Sequence, residues 1–157
     1  MMEKHMSGKR NDVFFMEMAL EQSRKAAMKG EVPVGAVLVL DDEIVSRDHN
    51  RSVSGNDATA HAEILVIRDA CRKMKNYRLP GSAIYVTLEP CAMCLGAVIQ
   101  ARIGRLVFGA RDPKSGACVS IIRFPWEKVN HRLDVREGVL AEACARILKE
   151  FFKNRRR

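Results

Sequence analysis

The sequence predicts an α/β fold, a three-layer α/β/α sandwich with helices on both faces of one sheet. Three observations carry this. Strand-like and helix-like segments alternate along the chain. Val34 to Leu40 is a nearly continuous apolar run, as expected of a strand covered on both faces. At 157 residues and 47% hydrophobic composition, the chain suits one domain with a sizeable core.

The elements follow in order. Asp12 is expected to cap a first helix running to about Lys29. Phe15, Met18, Ala19, Gln22 and Ala26 recur at helical spacing, and Gly30 can end the helix. The strand Val34 to Leu40 turns at Asp41-Asp42 into a second strand, Glu43 to Arg47. Asp48 to Thr59 is rich in Ser, Asn and Asp and reads as a loop. Asp57 or Thr59 can cap a helix from about Ala60 to Met74, with His61 and Glu63 in its first turn. Pro80-Gly81 turns the chain into a strand from Ala83 to Thr87. Pro90 opens a helix from about Cys91 to Ala101, where its missing N–H costs little. Arg105 to Gly109 is a short strand, and Ala110 to Ser120 a loop. A polar connection with strand-like ends covers Asn130 to Arg136, and a final helix spans about Leu140 to Phe152.

Composition narrows the classes. No window approaches the roughly 20 apolar residues of a membrane helix. Met1 to Asn11 is polar and shows no secretion signal, so a cytoplasmic location is expected. In that reducing compartment the five cysteines do not read as a disulfide framework. Cys71, Cys118 and Cys144 are scattered and read as buried free thiols. The formal net charge of +8 attracts polyanions, nucleic acid first. Lys149, Lys153, Arg155, Arg156 and Arg157 crowd the C-terminal end, with Glu150 opposing them. That cluster reads equally as a phosphate-binding patch or as a solvated helix end favoured by the macrodipole.

The chemistry concentrates in His61-Ala62-Glu63 and Pro90-Cys91-Ala92-Met93-Cys94. One imidazole and two thiolates can hold zinc and leave a fourth position for water. Cys91 and Cys94, three apart at a helix start, can face one point, and the positive helix end favours their thiolates. His61 is expected to converge on them if both helices follow neighbouring strands. Glu63 can move protons beside the open position. A redox pair is the alternative for Cys-x-x-Cys, but it belongs in a thioredoxin-like context that the chain lacks. A closed structural site needs a fourth ligand, and none of Cys71, His49, Cys118 or His131 is spaced for it. The combined spacing resembles the zinc-deaminase signature.

Longer stretches narrow the resemblance: Glu31 to Val37, Thr59 to Ile64, Tyr85 to Cys94, Gly109 to Lys114, Asn130-His131 and Gly138 to Leu140. From about Phe14 to Arg155 the chain resembles the bacterial tRNA-specific adenosine deaminases, in the cytidine deaminase-like superfamily. The resemblance implies a five-stranded mixed sheet, a homodimer, and one Zn2+ per subunit. It implies hydrolysis of the wobble adenosine in the anticodon of tRNA-Arg to inosine, with release of ammonia. By matching position, His61, Cys91 and Cys94 would bind zinc. Glu63 would be the proton shuttle as zinc-activated water attacks C6 of a flipped-out adenine. Asn50, Ala62, Asp112, Lys114, Asn130, His131, Phe152 and Arg155 would contact the RNA. Residues 1–10 lie outside the resemblance and are expected to form a disordered extension, with 11–157 as the deaminase domain. Ala58 stands where the family has proline, and Cys118-Val119 where it has small residues. Two other readings share these residues. One is a deaminase of free guanine, cytosine or cytidine. The other is a zinc-stabilised RNA-binding module, against which Glu63 argues.

Overall fold

A computed structural model of the protein describes residues 3–155, with side chains from Asp12 onward. The elements are α1 (Glu3–Met28), β1 (Gly35–Leu40), β2 (Glu43–His49), α2 (Ala62–Met74), β3 (Ala83–Leu88), α3 (Ala92–Gln100), β4 (Arg105–Ala110), β5 (Asp134–Glu137) and α4 (Ala141–Arg155). A single 3-10 turn, Trp126–Lys128, lies between β4 and β5. The expected disordered extension over 1–10 lies outside the residues with described side chains. Among the described residues, no helix is long and apolar enough to cross a membrane.

The strands form one mixed sheet in the order β2-β1-β3-β4-β5. β1 is antiparallel to β2 and to β3, while β3, β4 and β5 are parallel. Asp41 and Asp42 take φ of 51° and 62°, the left-handed pair of a tight hairpin turn. The register shifts between Leu38 and Val39, where Val45 is the extra residue of a bulge.

Alternation along the strands divides the core into two layers. Ala36, Leu38, Ile84, Val86, Leu106 and Phe108 face α2 and α3, meeting Val66, Ala70, Leu95 and Val98. Val37, Val39, Tyr85 and Val107 face the other way, onto Phe15, Met16, Ala19 and Leu20 of α1 and Cys144 of α4. Contact between α1 and β1 is close. A Cβ at Gly35 would lie 2.0 Å from the Ala19 carbonyl oxygen, so only glycine fits there.

Asp12 corrects the expected start of α1. The helix begins at Glu3, so Asp12 is an interior residue and caps nothing. Its carboxylate is 1% exposed and sits under the sheet. Tyr85 Oη donates to its Oδ1 at 2.8 Å, and Arg105 grips both oxygens at 2.5 and 2.8 Å. Arg136 Nη1 adds a bond to Oδ2 at 2.6 Å. One carboxylate thus ties α1 to β3, β4 and β5. Burial pushes its pKa up, but the bonds from Arg105 and Tyr85 and both guanidinium charges outweigh this and hold it below the ordinary value.

A depressed folded pKa stabilises the fold above the unfolded pKa, and that contribution is lost as pH falls through the folded value. Asp12→Asn is therefore expected to destabilise the protein by on the order of 2–3 kcal/mol at neutral pH, less than a wholly buried pair because both arginines reach solvent. The gap to the wild type should narrow as the pH is lowered through the acid range. Urea denaturation across that range checks both statements, and equal stability at neutral pH would contradict them.

Candidate active site

The N-termini of α2 and α3 open at the same end of the sheet. His61 and Cys91 occupy the N-cap positions, both with extended backbone and neither side chain capping its own helix. The cap of α2 comes from elsewhere: the Ala62 N–H donates to Asn50 Oδ1 at 2.8 Å. This corrects the expected cap at Asp57 or Thr59. Asp57 Oδ1 instead accepts from the Thr59 N–H and hydroxyl at 2.9 and 2.7 Å, closing the turn before the helix. His61 precedes the first turn, and Glu63 lies within it. With Asn50 capping α2, the His61 imidazole is free to face Cys91 and Cys94.

The three donors converge. His61 Nδ1 lies 3.6 Å from Cys91 Sγ and 3.5 Å from Cys94 Sγ. All three donor atoms lie within 4.8 Å of one another. A tetrahedral zinc with Zn–N of about 2.0–2.1 Å and Zn–S of about 2.3 Å separates N and S by roughly 3.6 Å. The observed spacing fits that geometry, and one ring nitrogen shared by two sulfurs is poor geometry for a lone hydrogen bond. Thiolate and imidazole donors also suit zinc. The Cys94 thiol bonds to Cys91 and, with His61, pulls the Cys91 pKa down to about 4. The same contact pushes the Cys94 thiol up, with burial adding to it. The bond to Cys91 likewise raises His61. An entering metal displaces the protons held in this cluster.

Among the described residues the group has three members. The other candidate histidines are engaged. His49 Nδ1 pairs with the Asn50 carbonyl at 2.9 Å, and His131 Nε2 with the Ile103 carbonyl at 2.7 Å. Glu63 is 4% exposed, and burial pushes its carboxyl up to about 7. A cleft of about 260 Å³ opens over the group, lined by Asn50, His61, Glu63, Cys91 and Asp112 among others.

Two buried carboxylates hold the rims of this cleft, and neither was singled out in the sequence. Glu31 accepts from the Val53 and Ser54 amides at 3.0 and 2.6 Å. Glu89 accepts from the amides of Asp112, Cys118, Val119 and Ser120 at 2.8–3.1 Å, and from the Ser120 hydroxyl at 2.5 Å. Burial pushes the Glu89 pKa up, yet these donors hold it below the ordinary value. Both residues fall inside stretches noted for resemblance, so proximity to the motif was the available signal. The unusual Cys118-Val119 pair is accommodated, since both amides serve Glu89 and the Cys118 side chain joins the core.

The remaining predicted residues do not line the cleft. Ala62 is wholly buried beneath it. Lys114 is exposed on the loop whose turn Asp112 closes, with Asp112 Oδ1 accepting from the Lys114 and Ser115 amides at 3.0 and 3.2 Å. Asn130 is exposed and His131 half-buried before β5. Phe152 is exposed on α4, edge-on to Phe151. Arg155 lies over the Phe151 ring and donates to the Gly30 carbonyl at 2.5 Å. Arg156 and Arg157 of the basic tail lie outside the described residues.

Fold and site together define a deaminase. The MafB19-like deaminase family matches residues 10–156. A tRNA-specific adenosine deaminase of Agrobacterium fabrum is 50% identical over 143 residues, covering 90% of this chain and 94% of its own. The tRNA-specific adenosine deaminase of Bacillus subtilis is 45% identical, covering 93% of this chain and 91% of its own. A chain solved in a study of A-to-I editing by tRNA:A34 deaminases superposes with a TM-score of 0.82 at 50% identity, over 86% of this chain and 99% of that one. A guanine deaminase from Nitrosomonas europaea superposes with a TM-score of 0.76 at 25% identity, over 87% of this chain and 82% of that one. The protein belongs to the tRNA-specific adenosine deaminase family.

Purified wild type is expected to carry about one zinc per chain. Cys91→Ser should lower zinc content and thermal stability together, because binding free energy is folding free energy. Elemental analysis beside calorimetry checks this, and full zinc content in the variant would contradict it.

Proposed function

We propose that the protein hydrolyses the wobble adenosine in the anticodon of tRNA-Arg to inosine, releasing ammonia. The observation that carries this reading is the buried Glu63 beside the converged His61, Cys91 and Cys94, in a chain of this family. His61, Cys91 and Cys94 are the zinc ligands. Zinc held there supplies Lewis acidity, the chemistry that makes water a nucleophile at neutral pH.

Glu63 moves the protons. With its carboxyl near pH 7, it can accept a proton and return one under working conditions. It takes the proton of the attacking water and delivers it to N1 of adenine, then takes the proton of the new C6 hydroxyl and passes it to the amine as the C6–N bond breaks. Asn50 commits its oxygen to the Ala62 amide, which leaves its NH2 as the donor for the base. At about 260 Å³ the cleft is smaller than the roughly 300–1,000 Å³ of drug-sized pockets. It suits a single base, so the target nucleotide must leave its stack. The rest of the stem-loop then lies outside, where Lys114, Asn130, His131, Phe152 and Arg155 are its contacts. The +8 net charge draws the polyanion in. The reading carries with it a cytoplasmic location and the homodimer that the resemblance implies.

Inosine formation in a tRNA-Arg anticodon stem-loop, assayed beside ammonia release from guanine and cytidine, tests this. The stem-loop is expected to react and the free compounds to remain. Glu63→Ala should lose on the order of 10²–10⁴-fold in kcat while keeping its zinc. Turnover of guanine in preference to the stem-loop would overturn the substrate, and normal turnover by Glu63→Ala would remove the shuttle.

A further inference from the structure

Glu89 directly follows β3 and precedes the Pro90-Cys91 step that opens the ligand-bearing helix. It is 2% exposed. Every hydrogen bond its carboxylate receives comes from the one segment that forms the far rim of the cleft. Oε1 accepts from the Asp112 amide at 3.0 Å and from the Ser120 hydroxyl. Oε2 accepts from the amides of Cys118, Val119 and Ser120 at 3.0, 2.8 and 3.1 Å. The adjoining backbone joins in. The Glu89 N–H donates to the Ala110 carbonyl at 2.8 Å, and the Ala117 N–H to the Pro90 carbonyl at 2.9 Å. Gly116 lies flat against the carboxyl group, where a Cβ would fall 2.3 Å from Glu89 Cδ.

This arrangement is one-sided. The loop cannot lift without stranding a buried carboxylate, which is costly. The loop carries Asp112 and Ser115, both of which line the cleft. We propose that Glu89 is a positioning residue, fixing loop 111–120 against the start of the ligand-bearing helix α3 and so setting where Asp112 meets the substrate. It is not one of the three metal donors, and although it borders the cleft, both its carboxylate oxygens are taken up by the loop. It gives the cleft a preformed rim, so that binding the RNA does not have to order the loop. The consequence for RNA turnover rests on the function proposed above. The loop anchoring itself does not.

The two oxygens have unequal duties, and this makes the idea testable. In Glu89→Gln a single carbonyl oxygen remains. Three amides on the Oε2 side hold it there, and the new NH2 faces the Asp112 N–H, which loses its acceptor. Amide hydrogen exchange at Asp112 is expected to speed up about tenfold or more, the loss for one bond to a charged acceptor, with far smaller changes at Cys118 to Ser120. On the anticodon stem-loop KM should rise by about the same factor, with kcat changed much less. A general loss of structure would instead speed exchange throughout the segment and lower kcat with it. Gly116→Ala is the second variant, pressing the loop off an intact carboxylate, and should give the same KM rise. If Glu89→Gln does not fold, Gly116→Ala decides alone. Unchanged Asp112 exchange, or an unchanged KM in both variants, overturns the proposal. If the wild type makes no inosine on the stem-loop, the proposed function fails, and the exchange measurement still decides the anchoring.

Discussion

The site depends on the direction of one strand. Because β1 runs antiparallel to both β2 and β3, those two strands point the same way although they are not neighbours. The helices that follow them pack on one face and start at one end. His61 at the head of α2 and Cys91 at the head of α3 are thereby brought to one point from positions 30 residues apart. Had β1 been parallel to either neighbour, one ligand would sit at the far end of the sheet. The expectation that the two helices follow adjacent strands was wrong in detail. The convergence survives because two reversals of direction cancel.

Charge inside this fold does two kinds of work. Asp12 gathers two arginines and a tyrosine and ties one helix to three strands. Glu31 and Glu89 gather backbone amides and tie loops to the frame. A carboxylate satisfied by amides can be buried without a cation beside it. Glu63 differs from all three. Burial is the largest single influence on all four, but at Glu63 the lowering contacts do not outweigh it, so its carboxyl is pushed up to about 7 instead of being driven acidic.

Periodicity made the sheet and its helices legible. The nearly continuous apolar run from Val34 to Leu40 reads as a strand covered on both faces, and its residues are buried against helices on both sides of the sheet. His61, Cys91 and Cys94 were legible as a cluster because metal-ligating side chains at such spacing have few other uses, and Glu63 was singled out by its place beside His61. Asp12 was misread because a lone acid at the edge of an apolar pattern looks like a cap. Its partners, Arg105 and Arg136, are distant in sequence, and no local pattern announces them. Glu31 and Glu89 escaped for the same reason. Their partners are backbone amides, which every residue possesses. Asn50 was read as a possible contact to the substrate, and the structure adds the capping of α2, a bond set by tertiary approach.

We propose that the starts of α2 and α3 build a zinc centre with three protein ligands, His61, Cys91 and Cys94, and one open position. X-ray absorption at the zinc edge of the purified protein tests it most directly. Two sulfur neighbours at about 2.3 Å and two lighter ones at about 2.0–2.1 Å are expected, one of the lighter pair from imidazole. A shell with three or four sulfurs would mean that Cys71 or Cys118 closes the site, and would contradict it.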